Sequence, residues 1–180
     1  MRQKVTKELV HSFMKGLARK AKGPGSVYLT GGSTLLLLDV REQTIDIDIK
    51  LDPEPPGVFE AIAELKEELN LNIELAAPDD FIPAPKKWRE YSTYIDSING
   101  ITFYHFDLVL QALAKIERSH SQDLTDVTAM LQKDLISISN LLERFEEINS
   151  RIIRYPSVNA EVFKSKIDEF ILNYKEQNGS

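Results

Sequence analysis

The chain of 180 residues contains no cysteine. Disulfide staples and thiolate metal sites are therefore excluded, and a reducing compartment is the natural expectation. Long apolar runs are missing too. The longest is Leu35 to Leu38, whereas a membrane-spanning helix needs roughly 20 apolar residues. Near the N-terminus Arg2, Lys4 and Lys7 are followed by Glu8 and not by the apolar centre of a signal peptide. A cytoplasmic chain, neither exported nor membrane-bound, is expected. Positive charge is also scarce: 22 Lys and Arg stand against 28 Asp and Glu, a net charge of −6. A protein that grips a duplex over a wide face needs the opposite balance, so no broad DNA-binding surface is expected. His11, His105 and His120 do not stand at metal-ligand spacing with carboxylates, which argues against a histidine metal site.

What is present suits a globular α/β chain. Val5, Leu9, Val10, Phe13, Met14, Leu17 and Ala21 recur at helical spacing, which predicts an amphipathic helix over 3–21. Gly23-Pro24-Gly25 ends it, and Val27-Tyr28-Leu29 reads as a short buried strand. Gly31-Gly32 forces a turn, with Ser33 as the expected N-cap of a short helix to Leu38. From Thr44 to Leu51, Ile45, Ile47, Ile49 and Leu51 alternate with polar residues, the period of a strand. A helix over 58–69 and a strand over 72–76 follow. Asn99-Gly100 marks a hairpin between strands at 91–96 and 101–104. Helices are expected near 106–119, 122–132, 137–149 and 159–175. The fold class expected is α/β (α+β), a small mixed sheet flanked by helices. The chain divides into a core over 1–105 and a C-terminal helical region over 106–180 packed on that core.

Two features carry chemistry. Two glycines after a strand let the backbone turn tightly and approach a ligand, and the helix that follows offers unpaired N–H groups to phosphate. Gly31, Gly32 and Ser33 are the candidate phosphate holders, although a plain strand-to-helix turn reads the same way. Asp46 and Asp48 stand two apart on a strand, so both carboxylates leave the same face. Such a pair repels itself unless a cation lies between, and Mg²⁺ (or Mn²⁺) accepts two carboxylates while leaving room for phosphate oxygens. Solubilising an exposed face is the alternative, but Asp is a poor strand former.

Taken together, a strand, a Gly-Gly-Ser turn, a helix and an Asp-x-Asp strand resemble the nucleotidyltransferase superfamily of polymerase-β-like fold, at Gly31, Gly32, Ser33, Asp46 and Asp48. Further stretches resemble a prokaryotic family of uncharacterised nucleotidyltransferases, related to the toxins of abortive-infection toxin–antitoxin pairs. These are Leu36 to Asp48, Pro78 to Pro83, Phe106-Asp107-Leu108 with Gln111 to Arg118, and Asp123 to Val127. The resemblance runs over roughly residues 25–156.

It implies a nucleoside triphosphate on the turn, metal on Asp46 and Asp48, and a third acid on the next strand. Glu74 is the candidate there, with Asp79 and Asp80 as rivals and a surface role as the alternative. It implies transfer of a nucleoside monophosphate to an acceptor hydroxyl on RNA, protein or a small molecule. The alternative is a nucleotide-binding or interaction protein with a partner protein, such as a toxin–antitoxin component. Arg41 could clamp the triphosphate or be a solvated loop cation. Lys115 and Arg118 share a helix face. They either reach nucleotide or pair with Asp123 and Asp126 of the next helix. Trp88 either stacks on a base or anchors a loop.

Overall fold

The computed structural model describes residues 1–179. The fold is a mixed α/β one, as the periodicities predict. The chain separates into two compact units. The first comprises 1–77 and 90–106, and the second 78–89 and 107–180. The stretch 78–89 thus belongs with the helices, whereas the sequence reading leaves it with the first 105 residues.

The first unit is built on a five-stranded sheet. Its strands are β1 (Gly25–Thr30), β2 (Asp46–Leu51), β3 (Asn72–Leu75), β4 (Thr93–Ile98) and β5 (Ile101–His105). They lie in the order β3-β2-β1-β5-β4. β1 is antiparallel to β2 and parallel to β5, while β2 and β3 are parallel. Helices α1 (Lys7–Lys20), α2 (Gly31–Leu37) and α3 (Val58–Glu68) belong to this unit.

Strand alternation sets the layers. Val27, Leu29, Ile47, Ile49, Ile73, Ile101 and Phe103 leave one face and are all at most 2% exposed. Phe13, Met14 and Leu17 of α1 and Ala61 and Leu65 of α3 pack with them in one core. Burying each large aliphatic or aromatic side chain contributes about 1.5–3 kcal/mol. The residues between them, among them Tyr28, Thr30, Asp46 and Asp48, must therefore leave the other face.

Local signals account for the joints. The Asn99-Gly100 turn has φ of 50° and 80°, which fits the left-handed turn that joins twisted antiparallel strands. The first helix begins at Lys7, later than its apolar pattern, because Val5 pairs instead with Thr44 in an isolated antiparallel bridge. β4 begins at Thr93 because the residues just before it form a short helix, α4 (Trp88–Tyr91).

The second unit carries α5 (Leu108–Arg118), α6 (Ser121–Gln132), α7 (Ile138–Asn149) and α8 (Ala160–Asn178). Asp107, Ser137 and Asn159 cap α5, α7 and α8 by accepting from backbone N–H groups one turn in. Phe145 and Phe163 meet at 5.2 Å between ring centres in its core. Among the described residues, no helix is long and apolar enough to cross a membrane.

Candidate functional site

The site is built where β1 ends and β2 begins. Thr30 pairs with Asp48 across the antiparallel β1–β2 ladder. The turn that follows Thr30 therefore lies beside the acidic strand. Gly31 has φ of +58°, a conformation that favours glycine. A Cβ on Gly31 would stand 2.9 Å from Asp48 Oδ2. A Cβ on Gly32 would stand only 2.0 Å from Thr44 Oγ1. Both glycines are thus required by the close approach of the turn to residues 44–48. The Asp48 carboxylate faces the turn directly.

The parallel β2–β3 register brings in the next acid. Asp48 stands opposite Glu74, and Asp46 opposite Asn72. Paired residues of neighbouring strands share a face, so Asp46, Asp48 and Glu74 lie together on the face away from the core. Asn72 ties two of them. Its Nδ2 donates to Asp46 Oδ1 at 2.6 Å and to Glu74 Oε1 at 2.7 Å. One amide thus steadies two carboxylates that would otherwise repel. Asp46 and Asp48 are half-buried, and Glu74 is exposed. Asp79 and Asp80 fall in a short 3-10 turn of the other unit, while the sheet register pairs Glu74 with Asp48. Sequence reasoning missed Asn72. The signal was an Asn-x-Glu strand next to an Asp-x-Asp strand, but only the parallel register gives it meaning.

Ser33 is placed differently from the expectation. Thr30, not Ser33, is the N-cap residue of α2, and Thr30 Oγ1 donates to Ala76 O at 3.0 Å. Ser33 lies inside the first turn, fully buried, and its Oγ donates to Thr30 O at 2.9 Å. Its hydroxyl braces the turn. Behind it, Thr34 Oγ1 donates to Leu29 O at 2.9 Å. The Thr34 proton being used there, His105 Nδ1 at 3.2 Å must be the donor to Thr34 Oγ1. Burial alone holds the His105 pKa down at about 4, so the ring is neutral.

Arg41 follows α2, and its N–H donates with that of Val40 to Leu35 O, which turns the chain back toward β2. Arg41 shares a cavity of about 360 Å³ with Lys4, Gln43, Thr44, Ile45 and Asp46. A larger cavity of about 620 Å³ lies in the helical unit between α6 and α8 and contains none of the candidate residues. The smaller one adjoins Asp46.

Of the two readings of Lys115, the structure shows the pairing with the next helix. Lys115 is 5% exposed, and its Nζ donates to Asp123 Oδ1 at 3.2 Å and to Asp126 Oδ2 at 2.8 Å. Arg118 joins the same Asp123 through two donors. The pairing between α5 and α6 is the outcome, because an unpaired ammonium or carboxylate would be costly at that burial. Asp107, also buried, pairs with Arg144. Burial raises its pKa, and the guanidinium beside it works against that shift. Trp88 is 8% exposed and carries the Arg89 guanidinium at 4.5 Å over its ring, which suits an anchor.

Among the described residues, no group of three His, Asp or Glu side chains is arranged to hold a metal ion by itself.

A family model described as "Nucleotidyltransferase of unknown function (DUF6036)" matches residues 8–175, and the chain belongs to that family. No curated protein and no solved structure matches it.

Proposed function

We propose that this member of the nucleotidyltransferases of unknown function binds a nucleoside triphosphate with Mg²⁺ or Mn²⁺ and transfers a nucleoside monophosphate to an acceptor hydroxyl. The observation that carries the reading is the approach of Asp48 Oδ2 to Gly31, within 2.9 Å of where a Cβ would lie. It brings a carboxylate of the acidic strand against the glycine turn at the start of α2. The donor set fits Mg²⁺, a hard cation that takes one or two carboxylates and draws its other oxygens from phosphate and water. Asp46 and Asp48 would hold it, and when bound it would neutralise charge on the reacting phosphate.

The residues of the chain supply positioning. An acceptor oxygen attacks the α-phosphorus, the bond from that phosphorus to the α–β bridging oxygen breaks, and pyrophosphate leaves. The hydroxyl proton must go to a base. Glu74, exposed and facing the same side as the aspartates, is suited to take it. Asn72 keeps Glu74 and Asp46 in fixed register for that step. Gly31 and Gly32 let the turn come close to Asp48 and Thr44, Ser33 braces it from inside, and Arg41 stands at the edge beside Asp46. Such chemistry depends on alignment and charge stabilisation more than on covalent help from the protein.

The test is calorimetric titration with each nucleoside triphosphate, with and without Mg²⁺, on the native chain and on an Asp46→Asn/Asp48→Asn variant. The native chain should bind in a Mg²⁺-dependent way, and the variant should lose at least about tenfold in that affinity. Transfer of label from an α-labelled triphosphate to total RNA or cell protein should fall on the order of a thousandfold. Equal Mg²⁺-dependent binding by both proteins would sink the assignment of the acids. Binding without any label transfer would leave a nucleotide-binding protein and remove the transferase.

A further inference from the structure

Two turns far apart in sequence meet within the helical unit. The first is Pro85-Lys86-Lys87-Trp88, closed by Trp88 N donating to Pro85 O at 3.1 Å. The second is the 3-10 turn Ile152–Arg154. Arg151 Nη2 donates to Ala84 O, and Tyr155 Oη donates to Asp79 O at 2.8 Å, so the two stretches are tied side by side. Ile82, Trp88 and Ile152 are buried and anchor both turns. Lys86 and Lys87, the central pair of the first turn, are exposed, as is Arg154.

The charge of this surface runs against that of the chain. Residues 81–89 carry Lys86, Lys87 and Arg89 and no acid, and residues 150–160 carry Arg151 and Arg154 and no acid, in a chain of net charge −6. Among the described residues, Lys86, Lys87 and Arg154 form no ion pair, and Arg151 donates to a neutral carbonyl. Arg89 is stacked over the Trp88 ring and is left out of the count. Lys115, Arg118 and Arg144 of the same unit are different, since each is spent on an acid. Like charges gathered on one surface repel one another and concentrate anions beside it.

We propose that this surface binds single-stranded nucleic acid, with Lys86, Lys87, Arg151 and Arg154 on backbone phosphates. Phe81 of the same loop, 50% exposed, offers a ring on which a base can stack. Four cations match a short local run of phosphates, whereas the net charge of −6 opposes the wide approach of a duplex. A lipid surface is the poorer match. It calls for a continuous apolar face under the cations, and Phe81 and Ile153 are the exposed large apolar residues of these two stretches. The inference goes beyond the reaction proposed above, because it needs neither Asp46 and Asp48 nor a triphosphate.

The probe is a labelled oligouridylate of about a dozen nucleotides, followed by fluorescence anisotropy over a range of KCl concentrations. Four phosphate contacts predict that log affinity falls with log salt at a slope of about −3. Lys86→Gln/Lys87→Gln should halve that slope and weaken binding on the order of tenfold at about 0.1 M salt. Adding Arg154→Gln should bring the loss to the order of a hundredfold. Phe81→Ala should cost about fivefold with the slope unchanged. Lys133→Gln/Lys175→Gln removes the same charge from exposed positions at the ends of α6 and α8. That pair should stay within about twofold of native, as should Asp46→Asn/Asp48→Asn. A native chain that binds no oligouridylate overturns the surface and leaves the nucleotidyl-transfer reading standing, as does full binding by the triple variant. An equal loss in Lys133→Gln/Lys175→Gln overturns it in favour of general charge, and a loss in the Asp46→Asn/Asp48→Asn variant places the strand at the acids instead. Equal affinity for a duplex, for polyglutamate or for vesicles of phosphatidylserine and phosphatidylcholine also overturns it.

Discussion

In the helical unit Asp107, Asp123 and Asp126 are 1%, 6% and 2% exposed, and each meets a cation: Arg144 for the first, Lys115 and Arg118 for the second, Lys115 for the third. In the sheet unit Asp46 is half-buried and leans on a neutral amide, that of Asn72, while Asp48 faces a glycine turn. The same side chain serves opposite ends. A buried ion pair is closed, because removing either partner strands the other charge in a poor solvent. A half-buried carboxylate steadied by an amide keeps its access to solvent. Chemistry needs the second kind. Residue type alone does not tell the two apart; burial and partner do.

That contrast can be broken on the helical side. Lys115→Met leaves Asp126 and Asp123 buried without the ammonium they share. Denaturant unfolding should show a loss of about 3–5 kcal/mol. The folded protein should bind triphosphate as the native chain does. A stable variant with weakened nucleotide binding would return Lys115 to the site and erase the distinction.

The sheet unit can be sharpened by pH. His105 is 6% exposed, with its pKa lowered by burial to about 4. The folded form holds the ring neutral, while the unfolded form takes up a proton below its ordinary value near 6.5. Since the unfolded chain then binds more protons, stability falls as pH falls, starting near 6.5 and levelling off near 4. The loss reaches up to about 3 kcal/mol. A His105→Gln variant, followed by thermal unfolding across that range, should lose this slope. A slope that persists unchanged would mean the ring is not the group responsible.

The smallest effect is expected at the amide itself. Asn72→Ala removes the bridge between Asp46 and Glu74. On the proposed function, Mg²⁺-dependent triphosphate affinity should fall about tenfold. Stability should change by less than about 1 kcal/mol, since the strand position is only partly buried. If affinity holds, the amide is a surface contact and Asp46 positions itself.

Much of the frame was legible without coordinates. The alternation from Ile45 to Leu51 placed Asp46 and Asp48 on one face, and Asn99-Gly100 announced its hairpin. Each is a short-range signal, set by backbone period and by local φ preference. Ser33 could not be read that way. Its sequence neighbours suit an N-cap, but the helix is capped three residues earlier, at Thr30, and turns the Ser33 hydroxyl inward to Thr30. Lys115 lay on a readable helix face, yet only α6 packed against it decides that its charge is consumed by Asp123 and Asp126.

Sequence alone determined the glycine turn, the acidic strand and the order in which they occur, because strand period and glycine freedom act over a few residues. Tertiary structure alone decided that Asn72 bridges Asp46 and Glu74, that Lys4 stands in the cavity beside Asp46, and that Lys115 is buried. Those outcomes depend on strand register and on contacts between segments far apart in the chain, where a partner's position, not its identity, sets whether a charge is neutralised or left to act.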